Sequence, residues 1–232
     1  MKVFLQTAMV VIVGLIITAS SAIAQGDEFN KAEGFVGYSY MQLHRGLDAE
    51  EFVNDVGDFP SNRVGAHGFN GSGTYNFTRY VGAKFDFTYH KHRQNFDAVP
   101  VVNPLGSGSF GYALDQQAIQ YMGGIQIKDN SKDGPKFKPF AHFLAGAASQ
   151  SIQLEQTGQD QEIVPFDVNN TSFAMKIGGG IDYKVHKNID IRLIQFDWNP
   201  IWRGEQNFGP TIGTLPAIAQ QNLQFTFGVV FH

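Results

Sequence analysis

Three places along the chain carry residue types that could do chemistry. His90-Lys91-His92 sets two imidazoles on one face of an extended segment, a spacing that could begin a metal site, with His44 as a candidate neighbour. A metal centre needs further ligands and fixed supporting groups, and neither is visible nearby, so polar residues at a boundary are the expected reading. The stretch from Asp48 through Glu50, Glu51, Asp55 and Asp58 could attract divalent cations, but it lacks calcium-loop spacing. It reads as a solvated charged loop. Gly178-Gly179-Gly180 is followed by neither a helix nor a Lys-Ser pair, so it does not form a phosphate loop. Glycines inside a strand instead allow close approach beside bulky neighbours. The chain has no cysteine, which excludes disulfides and thiolate metal sites. Its net charge of −4 and lack of clustered Lys and Arg argue against a nucleic-acid partner. No cofactor is expected.

The elements that would position such residues follow from periodicity. Lys2, the apolar run 9–17 and the small-x-small triplet Ala22-Ile23-Ala24 form an export signal. Cleavage is expected near Gln25, leaving residues 25–232 as one domain. Beyond the signal no apolar stretch is long enough for a transmembrane helix, yet charged residues are few while glycine and phenylalanine are abundant. The other structure that satisfies every backbone group in lipid is a closed β-barrel.

Eight period-2 segments are legible. In 222–231, Leu223, Phe225, Phe227, Val229 and Phe231 share one face against Asn222, Gln224, Thr226 and Gly228. In 81–90, Val81, Ala83, Phe85, Phe87 and Tyr89 oppose Lys84, Asp86, Thr88 and His90. Weaker alternation covers 34–43, 65–78, 117–128, 138–151, 173–183 and 189–198. The fifth of the eight, 138–151, is nearly all apolar or small, so its faces are ambiguous. The seventh changes phase at Leu193-Ile194, which predicts a β-bulge. Short turns near 78–80, 129–136 and 186–188 alternate with long loops near 45–64, 92–116, 152–171 and 199–219. That asymmetry predicts an all-β, eight-stranded antiparallel up-and-down transmembrane barrel with both ends on the periplasmic side.

A secreted lipocalin-like carrier would show the same alternation with its faces exchanged. The proposed lumenal face carries Glu33, Lys84, Asp86, Lys176, Asp182, Asp190 and Arg192, which can pair with one another inside a narrow interior. Aromatics gather near strand ends at Tyr38, Tyr40, Tyr80, Tyr89, Trp198 and Trp202, as interfacial girdles require. Both features favour the membrane sense.

The segments GFVGYSY, GSGTYNFTRYVGAKFDF, KPFAHFLAGAA, GGGIDYKVHKNIDIRLIQFDW and QNLQFTFGVVFH, in this order and spacing, resemble the OmpA-like eight-stranded outer-membrane barrels without a peptidoglycan-binding domain. The resemblance implies residence in the bacterial outer membrane, contact with its lipid, and delivery by periplasmic chaperones to the barrel-insertion machinery. By the same resemblance the final strand, through Leu223, Phe225, Phe227, Val229 and Phe231, carries the insertion signal. The family usually ends on an aromatic, whereas here His232 follows Phe231. Arg192 and the carboxylates facing it would form a lumenal plug.

Deacylases on such barrels need a Ser two residues beyond a His, and none of the seven histidines here has one at that spacing. A palmitoyltransferase-like His, Asp and Ser set on the loops has no matching motif either. The expected function is therefore a structural, non-enzymatic outer-membrane protein with at most minor pore activity. The alternatives are adhesion or binding of a surface ligand by the loops, whose aromatics are Phe59, Phe96, Phe110, Phe166, Trp202 and Phe208, and the secreted carrier.

Overall fold

The computed structural model describes residues 28–44, 63–103, 106–156, 166–207, 214–215 and 217–232. Eight long strands close into a barrel: β1 (Ala32–His44), β2 (Arg63–Asn76), β3 (Val81–Asn103), β4 (Gly106–Lys128), β5 (Phe137–Gln156), β6 (Phe166–His186), β7 (Ile189–Arg203) and β10 (Ile218–Phe231). Each pairs antiparallel with its sequence neighbour, and β10 closes the ring by pairing with both β7 and β1. Two short strands, β8 (Gln206–Asn207) and β9 (Thr214–Leu215), form a small hairpin between β7 and β10. Closure leaves the large sheet without a free edge, so every strand has partners on both sides.

The alternation resolves which face is outside. Val36, Tyr38, Phe69, Phe85, Ile125, Phe143, Ile177, Phe196, Phe225 and Phe227 are exposed on the outer wall. Lys84, Asp86, Lys128, Lys138, Lys176, Asp182, Asp190 and Arg192 are buried within. A water-soluble carrier would have the opposite arrangement, because charges shed their hydration only at high cost. The carrier reading is thereby excluded, and the barrel spans a membrane. Rings interlock along the outer wall, with Phe69–Phe87 at 5.7 Å, Phe87–Tyr121 at 5.2 Å and Phe196–Phe225 at 5.2 Å between centroids.

Where the seventh segment changes phase, β7 bulges. Ile181 pairs with Ile194 and Asp182 with Arg192, so Leu193 has no partner on β6. Leu193 and Ile194 are both exposed outward, after which Gln195, Asp197 and Asn199 take over the inward positions. One extra residue thus switches the inward set from even to odd numbers.

Three of the expected loops are corrected. Residues 92–116 are not a loop: β3 and β4 run on as a hairpin to Asn103 and Gly106, with an irregularity between Phe96 and Val99. β5, β6 and β7 likewise extend into 152–156, 166–171 and 199–203. Cross-strand hydrogen bonding in a twisted hairpin continues past the apolar band wherever the sequence tolerates extension, and hydrophobic alternation does not report it. Trp202 accordingly lies on the outer wall of β7 with its ring 5.5 Å from that of Phe173, rather than in a loop. Residues 1–27, including the export signal, and 45–62, with the acidic stretch and Phe59, lie outside the described residues, as does Phe208. The backbones of Phe96, Phe110 and Phe166 are in strands; their side chains lie outside the described set.

Candidate functional site: the lumen

Period 2 aims every second side chain of all eight strands into one narrow space. In a barrel of this strand number, that space is filled by the side chains themselves. Near the periplasmic end, Lys128 Nζ donates to Glu33 Oε2 at 2.7 Å and to Asp182 Oδ2 at 3.0 Å. Arg192 meets the same Asp182 side-on, Nε to Oδ1 at 2.8 Å and Nη2 to Oδ2 at 3.0 Å. Such a fork matches both carboxylate oxygens at once. Beside it, Lys138 Nζ donates to Asp190 Oδ2 at 3.0 Å. The terminal residue is part of this layer: His232 Nε2 lies 2.9 Å from Asp190 Oδ2, and its backbone N–H donates to Asn188 O at 3.0 Å. Neither ring nitrogen of His232 has a hydrogen-bond partner, so its contact with Asp190 is one of proximity.

The network continues upward. Arg192 Nη1 donates to Gln195 Oε1 at 2.7 Å, and Gln195 Nε2 donates to Asp197 Oδ2 at 2.6 Å. Asp197 Oδ1 lies 2.9 Å from His142 Nε2, again in proximity without a hydrogen bond. Lys84 reaches His142 Nδ1 at 3.3 Å. Across the lumen, Lys176 Nζ donates to Asp86 Oδ1 at 2.6 Å and to Thr88 Oγ1 at 3.0 Å, while Asn70 Nδ2 donates to Asp86 Oδ2 at 2.9 Å.

Two inward phenylalanines close the middle of this layer. The Arg192 guanidinium sits 4.3 Å from the Phe35 ring centroid and 4.1 Å from that of Phe140. Guanidinium stacking between aromatic faces adds a quadrupole attraction that strengthens away from water. Glycines make room for these rings. A Cβ on Gly37 would stand 2.6 Å from Phe35 Cζ and closer still to Phe227 O, and one on Gly180 would stand 3.0 Å from Phe140 Cε1 and closer still to Ile194 O, so neighbouring backbone and ring both require glycine there.

Further toward the extracellular end the interior turns apolar, which the polar-lumen expectation did not include. Met41, Leu43, Val64, Ala66 and Ala118 form one buried cluster; Met122, Leu144, Ala148, Ala174 and Ile201 form a second. Polar groups among them bond across the barrel: Gln120 Nε2 donates to Asn199 Oδ1 at 2.8 Å, and Gln150 Nε2 to Gln220 Oε1 at 2.9 Å.

Of the seven residues singled out on the lumenal face, all are buried inside. The geometry joins Glu33, Asp182 and Arg192 through Lys128 in one cluster and Asp86 with Lys176 in another, and leaves Asp190 to Lys138. Lys84 meets a histidine instead of a carboxylate. The residues missed were Lys128, Lys138, His142, Asp197, His232, Phe35 and Phe140. Carrying the β7 phase through its bulge would have found Asp197. Anchoring the ambiguous fifth strand on Lys138 would have put Phe140 and His142 on the same inward face. Among the described residues the buried charged side chains are Lys84, Lys128, Lys138, Lys176, Arg192 and Arg203 against Glu33, Asp86, Asp115, Asp182, Asp190 and Asp197. The two signs are equal in number, but the match is not pair by pair: Asp115 is met by the exposed Lys91 and Arg93, and Arg203 Nε and Nη2 have no hydrogen-bond partner.

The residues of the 90–92 triplet do not converge on a metal. His90 Nε2 is 2.9 Å from Ser39 Oγ, and His92 Nδ1 donates to Gly65 O at 2.8 Å. The side chain of His44, which ends β1, lies outside the described set. Among the described residues no group of three or more His, Asp or Glu gathers as metal ligands.

The outward residues of β10 include Phe225, Phe227 and Phe231, exposed on the wall, with Leu223 and Val229 half-buried between them.

The family model for the outer membrane protein β-barrel domain matches residues 10–231. No curated protein matches the chain. Solved structures similar to it include Ail, the attachment invasion locus protein of Yersinia pestis, in complex with the heparin analogue sucrose octasulfate. It is 13% identical with a TM-score of 0.46, over 87% of this chain and 100% of that one. Neisserial surface protein A is 12% identical with a TM-score of 0.45, over 88% and 99%. The outer membrane protein OprG of Pseudomonas aeruginosa is 11% identical with a TM-score of 0.44, over 88% and 96%. Likenesses this distant carry no argument about function. The family match spans nearly the whole chain and agrees with a closed eight-stranded wall that is apolar outside and charged within: the chain belongs to the outer membrane protein β-barrel domain family.

Proposed function

We propose that this protein is a structural, non-enzymatic component of the bacterial outer membrane, exported with removal of residues 1–24, whose lumen is plugged rather than conducting. The observation that carries the reading is Arg192, forked onto Asp182 and held between the rings of Phe35 and Phe140 in mid-lumen. Ions cross only where water can follow, and here paired charges fill the lower lumen while two apolar clusters, interleaved with Gln120, Asn199 and Gln220, fill the rest. The outward residues of β10, with Phe225, Phe227 and Phe231 at their centre, act as the insertion signal for the assembly machinery. His232, folded back toward Asp190, leaves that outward face unchanged. Loop-borne adhesion remains the second activity to test, by loop deletion and surface-binding assay.

Conductance of the purified barrel in planar lipid bilayers tests the plug. Silence, or rare brief openings, is expected for the wild type. Steady ohmic conductance of the unmodified protein would overturn the reading. Removing the centre with Phe140→Ala and Arg192→Ala together should create measurable steady current.

A further inference from the structure

The periplasmic rim carries a charge distribution that neither lumen nor loops explain. The turn 129–136 and the turn between β6 and β7 lie side by side, tied by the Lys184 N–H donating to Lys136 O at 2.8 Å and by Lys184 Nζ donating to Lys132 O. Between them is an open recess of 620 Å³ lined by Asp133, Gly134, Lys136, Lys184, Val185, His186 and Lys187. Lys136 and Lys187 are exposed, and Asp133 is the one carboxylate of the lining. Asp129, on the same turn, is already engaged by Arg79 through a two-point contact at 2.9 and 2.8 Å. Glu28 touches the turn through its backbone carbonyl, which accepts from the Lys132 N–H at 3.1 Å. The chain as a whole has a net charge of −4, so this concentration of ammonium groups is local.

The recess also borders the lipid. Phe137 and Val185 are strongly exposed on the outer wall, and the rings of Phe137 and Tyr183 meet at 5.0 Å immediately above. Apolar side chains on the wall, with lysines one step beyond them toward the periplasm, match the order of acyl chain, glycerol and phosphate in a phospholipid leaflet.

We propose that this recess docks the headgroup of an anionic phospholipid of the periplasmic leaflet. The phosphodiester sits against Lys136, Lys184 and Lys187, and the acyl chains lie along Phe137, Tyr183 and Val185. Lysines near an anionic lipid surface each strengthen binding about fivefold, so loss of two should weaken it on the order of 25-fold.

The test uses the full folded protein in zwitterionic micelles, titrated with dihexanoyl-phosphatidylglycerol and followed by backbone amide NMR. Dihexanoyl-phosphatidylcholine and inorganic phosphate are run at matched concentration and ionic strength. Saturable shifts confined to the amides of Gly134, Lys136 and residues 184–188 are expected with phosphatidylglycerol, with binding on the order of tenfold weaker or more for the other two probes. Lys136→Glu with Lys187→Glu should abolish the saturation, and Lys136→Gln with Lys187→Gln should weaken it about 25-fold. Boiling-dependent gel mobility checks that each variant remains folded. Equal response to phosphatidylcholine would reduce the recess to an apolar contact. Equal saturation by phosphate would make it a free-anion site. Unchanged binding in both double variants would remove the lysines from the interaction. Any of these three results overturns the proposal.

Discussion

Replacing Asp182 by asparagine keeps the side-chain volume and removes one charge from a lumenal carboxylate shared by two cations. Asp182 accepts from Arg192 at two points and from Lys128 at a third, all within 3.0 Å. In the variant Arg192 retains Gln195 and its two aromatic neighbours but no carboxylate contact, and Lys128 retains Glu33 alone. Removing one partner from a buried pair costs about 3–5 kcal/mol, because the remaining charge stays desolvated without compensation. That corresponds to a loss of roughly a hundred- to several-thousand-fold in the folding equilibrium. Reversible urea unfolding of the barrel in phospholipid vesicles, followed by tryptophan fluorescence and gel mobility, measures it directly. The companion double variant Asp182→Leu with Arg192→Met replaces charges by apolar groups of similar size. It should recover most of the loss, since buried pairs are often matched in stability by well-packed apolar residues. If Asp182→Asn costs less than about 1 kcal/mol, the lumen must hydrate its own charges as a surface does, and the plug argument fails.

At the periplasmic rim, the hydrogen bond from Arg79 to Asp129, joined by those from the Ser131 backbone and hydroxyl, holds the Asp129 carboxyl below its ordinary value. A folded-state pKa lowered in this way contributes stability that is fully present above the ordinary aspartate range, near pH 4, and is lost as pH falls through the lowered value. Asp129→Asn should therefore be less stable than wild type at neutral pH and lose less between about pH 4 and pH 2, read from stability–pH curves of the two proteins. Equal slopes would exclude the pair. Gly37→Ala would set its Cβ 2.6 Å from Phe35 Cζ and closer still to the backbone oxygen of Phe227, so β1 must shift against β10 at a cost of about 3 kcal/mol or more in the same urea assay, whereas Gly73→Ala, with open space around its Cβ position, should cost under 1 kcal/mol. For the plug itself, Phe140→Ala with Arg192→Ala should open steady conductance in planar bilayers while boiling-dependent gel mobility persists.

How much was legible in the residues differs between the wall and the lumen. Alternation over Val81–Tyr89 and Leu223–Phe231 identified the strands, because a side chain on a pleated strand has only two directions to choose from. The phase change at Leu193-Ile194 was equally readable, since two consecutive apolar residues between polar ones leave a bulge as the simple solution. The end of each strand was not readable. Beyond the apolar band, β3 and β4 continue by backbone pairing alone, which residue type does not report.

Sequence by itself therefore determined a membrane-type barrel wall and the stock of charges available to line it. Only the tertiary structure decided which charge meets which. Arg192 and Asp182 come together because the register of β6 against β7 places them opposite each other next to the Leu193 bulge. Lys128 joins them from β4, and Glu33 from β1, across the lumen. Partners 54 and 95 residues apart in the chain become neighbours only once the ring closes. Phe35 and Phe140 show the same limit: by type they belong on the lipid side, and strand phase turns them inward onto a guanidinium. A strand's own pattern sets which way a side chain points. What it points at is set by shear and closure, which belong to all eight strands together.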